Sequence, residues 1–376
     1  MDKLREILSK LNFHYVFLGL MALIILVVVV RLTAWNNRAH VIESENPNST
    51  EFDTEPLDNL VPYTYEIEAK DPEDMIIACF GNAPFYDDFG KENNLANIIA
   101  NKTGATVYNF AFEDSYLSCE NPTLESGHND LFSLYWLTTI FTLDNDTIVN
   151  QYLEAMPNAS VERKATLSLL QNLDFNTVDV ITIMYDGSDY LAERGMYNRD
   201  DSTNIRHFGG ALEASIQLIK QTFPHIQIIV LSAPYAYGLE ADGTLVDSTI
   251  KTYGDEGPLA SYVQYESEVC YKSFTTFIDT FYGSVSFFTA EELLKDHIHL
   301  TPKARDLVAE EFMEGFNYYV KYRNKNKSQA KKRPVETADS NKLMRPNRTI
   351  LFNFLAPAMP FSSIYDTWQY SFHFPR

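Results

Sequence analysis

The stretch Asp296-His297-Ile298-His299-Leu300-Thr301-Pro302 lies between a short apolar run and a long amphipathic one. An Asp and a His three positions apart in a loop can turn toward each other. The carboxylate then fixes the imidazole tautomer while the imidazole works as base and afterwards as acid. Thr301 before Pro302 predicts an N-cap followed by Pro at the first helical position, so the helix start pins the loop that carries His299. His297 reads as a solvent-facing neighbour. Downstream, Arg305 to Tyr322 predicts a terminal amphipathic helix with Leu307, Val308, Phe312, Phe316 and Tyr319 near one face.

Upstream of this loop, short apolar runs alternate with helical stretches from residue 75 onward. The runs are Met75 to Phe80, Thr106 to Phe110, Val178 to Met184, Ile226 to Ser232 and Val285 to Phe288. Each is rich in β-branched or aromatic residues and too short for a core helix, which predicts strands. Between them, Asn93 to Asn101, Leu131 to Leu143, Ala165 to Leu173, Ala211 to Phe223 and Tyr262 to Phe281 carry helical spacing, with Pro224 stopping the fourth. The expected fold class is α/β: a three-layer αβα sandwich around a five-stranded parallel sheet, flavodoxin-like. Ligands of such a sheet bind beyond the carboxyl ends of its strands. Candidate site residues therefore lie in the turns at Gly81-Asn82-Ala83, Ala111 to Ser115, Tyr185 to Tyr190 and Ala233-Pro234-Tyr235.

These residues resemble the four sequence blocks of the SGNH (GDSL-type) hydrolase family, in the same order, over about residues 73 to 320. The last block is the most specific and implies Asp296 and His299 as the catalytic Asp and His. The first block normally reads Gly-Asp-Ser with Ser as nucleophile, and here reads Gly81-Asn82-Ala83. The second normally supplies a glycine amide to the oxyanion hole, where this chain has Glu113-Asp114-Ser115. The third normally ends Gly-x-Asn-Asp, and Asp186-Gly187-Ser188-Asp189 puts Ser188 at the place of the oxyanion-donating Asn. Three of the four blocks thus depart from the pattern at the functional residue.

A methyl group at residue 83 cannot attack a carbonyl. Several readings follow from that. An ester hydrolase could draw its nucleophile from Ser115 or Ser188. Water could attack directly, with His299 as base and Asp87, Asp88, Asp186 or Asp189 assisting. The chain could instead be a pseudoenzyme that binds an acylated glycan or lipid, or serves a membrane-bound O-acyltransferase as its outer partner. Gly81, Asn82, Ala83, Ser188, Asp189, Tyr185 and Tyr190 are the expected oxyanion or substrate-binding residues. Tyr185, Tyr190, Tyr235 and Tyr237 suit stacking on sugar rings, with core packing as the plainer role of each. The scattered acids form no compact ligand motif, and neither a metal nor another cofactor is expected.

Of 376 residues, 51 are acidic and 30 basic, for a formal charge of -21, which argues against a nucleic-acid partner. Cys79, Cys119 and Cys270 show no metal spacing, and a Cys119 to Cys270 disulfide stays open outside the cytoplasm. Phe13 to Val30 is an almost unbroken apolar run preceded by Lys3, Arg5 and Lys10. It predicts an uncleaved signal anchor over 13–31, with 1–12 cytoplasmic and the main domain outside the membrane. Residues 32–72 read as a tether, 73–322 as the domain, 323–348 as a basic disordered linker and 349–376 as an aromatic, apolar tail.

Overall fold

A computed structural model describes residue 21 and residues 56–62, 70–121, 128–143, 146–155, 159–254 and 256–330, with side chains to 323. The anchor expected over 13–31, Met21 apart, and the tail over 349–376 lie outside the described residues. Among the described residues no helix is long and apolar enough to cross a membrane. The chain divides after Ser328 into two compact units, and the fold below belongs to the first.

Its centre is a parallel sheet of five strands, β1 (Ile76–Gly81), β2 (Thr106–Asn109), β3 (Val180–Met184), β4 (Gln227–Leu231) and β7 (Thr276–Ile278), in the order β2-β1-β3-β4-β7. β5 (Gly238–Leu239) and β6 (Leu245–Val246) form a separate antiparallel pair. Every residue of β3 and β4 is buried, as a sheet covered on both faces requires. The principal helices are α2 (Leu95–Thr103), α3 (Leu134–Thr142), α4 (Asp146–Ala155), α5 (Val161–Asn172), α7 (Phe208–Thr222), α8 (Leu259–Lys272) and α11 (Pro302–Ala330). Short turns α1 (Ala83–Tyr86), α6 (Ser188–Leu191), α9 (Thr280–Gly283) and α10 (Ala290–Leu293) join them.

The chain moves outward from β1 through α2 to β2, then returns past β1 to β3 and proceeds through α7 and α8 to β4 and β7. Right-handed crossovers in opposite directions put α2 on one face and α7 and α8 on the other. α11 shares the face of α2, where Lys102 pairs with Glu310 at 2.6 Å. The expected three-layer α/β sandwich is therefore present, and the direction reverses between β1 and β3, where such folds open a crevice. Gly81 ends β1 there. A Cβ on it would stand 2.0 Å from the Met184 carbonyl oxygen, so only glycine lets the two strands close up.

The fifth strand differs from expectation. Val285 to Phe288 is loop, with Phe287 and Phe288 exposed, and the expected helix over Tyr262 to Phe281 ends at Lys272. Phe274 takes the left-handed conformation, φ 51°, and Thr275 donates back to the Cys270 carbonyl at 2.8 Å, which terminates the helix. The chain then enters β7, a three-residue strand too short to interrupt helical spacing in the sequence. Helix α4 and the β5/β6 pair were not foreseen, and α11 runs on to Ala330, past the expected end at Tyr322.

Part of the segment read as a tether covers the open edge of β7. Asn59 and Phe277 exchange both backbone hydrogen bonds at 2.9 Å, and the Asp279 carboxylate accepts from the Leu57 amide at 2.9 Å. Unpaired strand edges invite pairing with other chains, and this contact removes one.

Candidate active site

The loop before α11 is closed on itself. Leu294 and Leu300 form an antiparallel bridge, and Lys295 donates its amide to the His299 carbonyl at 2.7 Å. Thr301 caps α11 as expected, its hydroxyl accepting from the Ala304 amide at 3.3 Å and donating to the Leu293 carbonyl at 3.0 Å. The Tyr237 amide donates to the His297 carbonyl at 2.7 Å, which ties the loop to the turn after β4.

Within this frame Asp296 and His299 meet. Asp296 Oδ2 lies 2.7 Å from His299 Nδ1, while Oδ1 accepts from the amides of Ile298 and His299, both at 2.9 Å. Burial pushes the Asp296 carboxyl up, but those two amides and the imidazole outweigh it and bring the pKa down to about 2. For His299, burial favours the neutral ring, yet the hydrogen bond and charge of Asp296, aided by the charges of Asp87 and Asp186, raise its pKa above the ordinary value. Nε2 makes no hydrogen bond to a described residue, and the side chain is 40% exposed.

Arg305, wholly buried in the first turns of α11, fastens the loop to the segment between α1 and α2. Its guanidinium donates to the Leu300 carbonyl at 3.0 Å, the Asn93 carbonyl at 2.8 Å and the Asp88 carboxylate at 2.5 Å. Asp88, with φ 57°, also takes Lys91, which is the main reason its pKa falls to about 2. Asp87 pairs with Lys295 at 3.1 Å.

Asn82, Asp186 and Ser188 form one network under the site. Asn82 donates to Asp186 Oδ1 at 2.7 Å and to the Ser115 carbonyl at 3.0 Å, and accepts from the Asp186 amide at 2.9 Å. The Ser188 amide and hydroxyl both donate to Asp186 Oδ1. Burial raises the Asp186 pKa against these hydrogen bonds, and its charge is felt by His299. Of the four acids considered as helpers, Asp87 and Asp186 thus act on His299, whereas Asp88 holds Arg305.

The other expected site residues are turned elsewhere. Ser115 is buried and donates its hydroxyl to the Phe112 carbonyl at 2.8 Å. Ser188 is committed to Asp186, so neither serine hydrogen-bonds His299. Asp189 is buried and accepts from the Leu117 and Ser118 amides and the Ser118 hydroxyl, a loop-fixing role. Tyr185, Tyr190 and Tyr235 are at most 1% exposed and belong to the core, with Tyr190 bonded to the Lys251 carbonyl and Tyr235 to Asp247. Only Tyr237 of that group is half-buried. All three cysteines are free and buried, and no group of three His, Cys, Asp or Glu among the described residues could hold a metal.

Two backbone amides remain at the strand ends. Ala83 opens α1 and its N–H has no intrahelical acceptor. Asp114 stands where the resemblance implied a glycine and adopts φ 56°, the left-handed conformation that Asp tolerates better than most residues.

No family model and no curated protein matches this chain. Among solved structures it is similar to a protein from Lactobacillus plantarum (11% identity, 65% of this chain and 96% of that one, TM-score 0.45). It is also similar to the aryl esterase of M. smegmatis (13%, 65% and 98%, 0.41) and to Est24, a carbohydrate acetylesterase from Sinorhizobium meliloti (10%, 65% and 98%, 0.39). At these identities the likeness concerns the fold alone. The strand order and the closed Asp296/His299 loop are what the resemblance of the sequence blocks to the SGNH hydrolases implies, carried on a three-layer α/β sandwich.

Proposed function

We propose that this chain acts on acyl esters, O-acylated glycan or lipid, at the cell envelope, with Asp296 and His299 as the working pair and water in place of the serine nucleophile. The observation that carries the reading is the Asp296–His299 hydrogen bond at 2.7 Å, with Nε2 bonded to no described residue. His299 Nε2 takes a proton from water as the water oxygen bonds to the ester carbonyl carbon. Asp296 holds the Nδ1 proton and steadies the charged ring. The amides of Ala83 and Asp114 are candidate donors to the carbonyl oxygen as it gains charge. Collapse breaks the bond to the alkoxide, which recovers the proton from His299, so ester and water yield acid and alcohol. Residues 13–31 would anchor the chain with its domain outside the membrane.

A second reading is favoured by Ala83 itself and by the commitment of Ser115 and Ser188 to other partners. In it the fold binds the acylated ligand without turnover, as an accessory to a membrane-bound O-acyltransferase. The test is turnover of short-chain acyl esters by the purified full chain beside His299→Ala and Ala83→Ser. Loss of about a hundredfold or more in His299→Ala supports hydrolysis. Equal rates in the two would sink His299-dependent hydrolysis, and activity gained only in Ala83→Ser would identify a site that binds but does not turn over.

A further inference from the structure

The loops that follow β2 and β3 enclose a cleft of about 590 Å³ that neither Asp296 nor His299 lines. Tyr116, Glu120, Arg194, Asn198, Arg206 and His207 are among its walls. Its walls carry two guanidinium groups and one carboxylate, with the buried Asp189 within electrostatic reach of Arg194 behind them, in a chain of formal charge -21. A surface of that overall sign repels anions, so a basic concavity in it is a selective feature.

The groups in this cleft are held and yet unspent. Arg194 lies over the Tyr116 ring with its guanidinium carbon 3.9 Å from the centroid, and Nη1 donates to the Ser118 carbonyl at 3.1 Å. It has no carboxylate within ion-pairing distance among the described residues, so its outer donors remain available on an oriented plane. Arg206 is exposed, and its guanidinium bonds to no described residue. His207 is laid against Gly195, where a Cβ would come 2.6 Å from its ring, and its Nδ1 is buried with no partner among the described residues. Asn198 spends its oxygen on the amides of Asp200 and Asp201, which leaves its NH₂ as a further donor.

We propose that this cleft binds an oxyanion, carboxylate or phosphate, carried on a sugar-sized polar ligand. Planar guanidinium donors match such oxygens in pairs, and the volume suits one or two sugar rings. The proposal does not rest on the ester reading, because binding is measured without turnover.

Calorimetry on the purified full chain at low salt tests it with glucuronate, glucose 6-phosphate and glucose. Saturable binding of either acidic sugar with none of glucose is expected, and the sugar that binds names the source of the oxyanion. Arg206→Ala should weaken that binding about tenfold or more, and Arg206→Glu should abolish it. Both substitutions are at an exposed position and leave the core intact. Equal binding of glucose, no binding of either acidic sugar, or unchanged affinity in Arg206→Glu overturns the proposal.

Discussion

Asn82 and Asp186 clasp each other just beyond the carboxyl ends of β1 and β3, the Asn82 amide donating to the carboxylate at 2.7 Å and the Asp186 amide donating back at 2.9 Å. The first and third sequence blocks, 104 residues apart, are thereby locked into one floor beneath His299. Asn82→Ala removes three buried hydrogen bonds, and a loss of about 2–3 kcal/mol is expected in denaturant unfolding. Asn82→Asp sets a second carboxyl against Asp186 and raises the pair's pKa values. The folded state then binds more protons than the unfolded one, so this variant's stability should fall from pH 4 to pH 7. A flat profile would show that the clasp tolerates a second acid.

His299 is the group whose titration should be visible in function. The proposed hydrolysis needs its neutral form, so under that proposal the rate should climb with pH through a midpoint above 6.5, the ordinary value. Asp296→Asn should lower that midpoint. The linked stability has two windows. The raised His299 pKa contributes fully below about pH 6.5 and is lost as pH rises through the folded value. The depressed Asp296 pKa contributes above about 3.8 and is lost as pH falls through about 2. Both side chains are more than a third exposed, so the sum stays below about 1 kcal/mol. A proton NMR titration placing His299 at or below 6.5 would contradict this account.

Arg305 positions the loop without touching the reacting atoms. Arg305→Met keeps the volume and deletes the bonds to Asn93, Leu300 and Asp88, for an expected cost of roughly 2–4 kcal/mol. The catalytic rate should fall while the Asp296-dependent His299 titration shifts toward the ordinary value. An unchanged titration in a folded variant would reduce Arg305 to a purely structural residue.

The cysteines should be silent in the native protein. Burial pushes the Cys119 thiol up to about 12, against a hydrogen bond with Ser133, and burial raises Cys79 and Cys270 as well. Thiol-reactive reagents at pH 8 should label none of the three until the chain is unfolded. Prompt native labelling of any one would show that its cover opens.

The Asp296/His299 pair, the N-cap at Thr301 and four of the five strands were legible because each depends on neighbours within a few residues. A carboxylate and an imidazole three apart find each other inside one loop, and β-branched runs flanked by helical spacing are what a covered parallel sheet requires. β7 was illegible because three residues carry no period of their own, and its neighbours Phe274 and Phe281 continue the spacing of α8. The basic cleft left no local signal, since Tyr116, Arg194 and Arg206 come from separate loops.

Amino-acid order alone determined the fold class, the catalytic-type loop and the absence of a nucleophile at residue 83, all set by local chemistry. Tertiary structure decided which way each side chain in those turns faces. Asp189 and Tyr190 stand at strand ends where a site would use them, yet hydrogen bonds to groups 72 and 61 residues away in the chain hold them in the core, while Ser115 and Ser188 are taken by acceptors three and two residues away. A polar side chain near a crevice must satisfy its hydrogen bonds somewhere, and only the packed structure supplies the partner that wins.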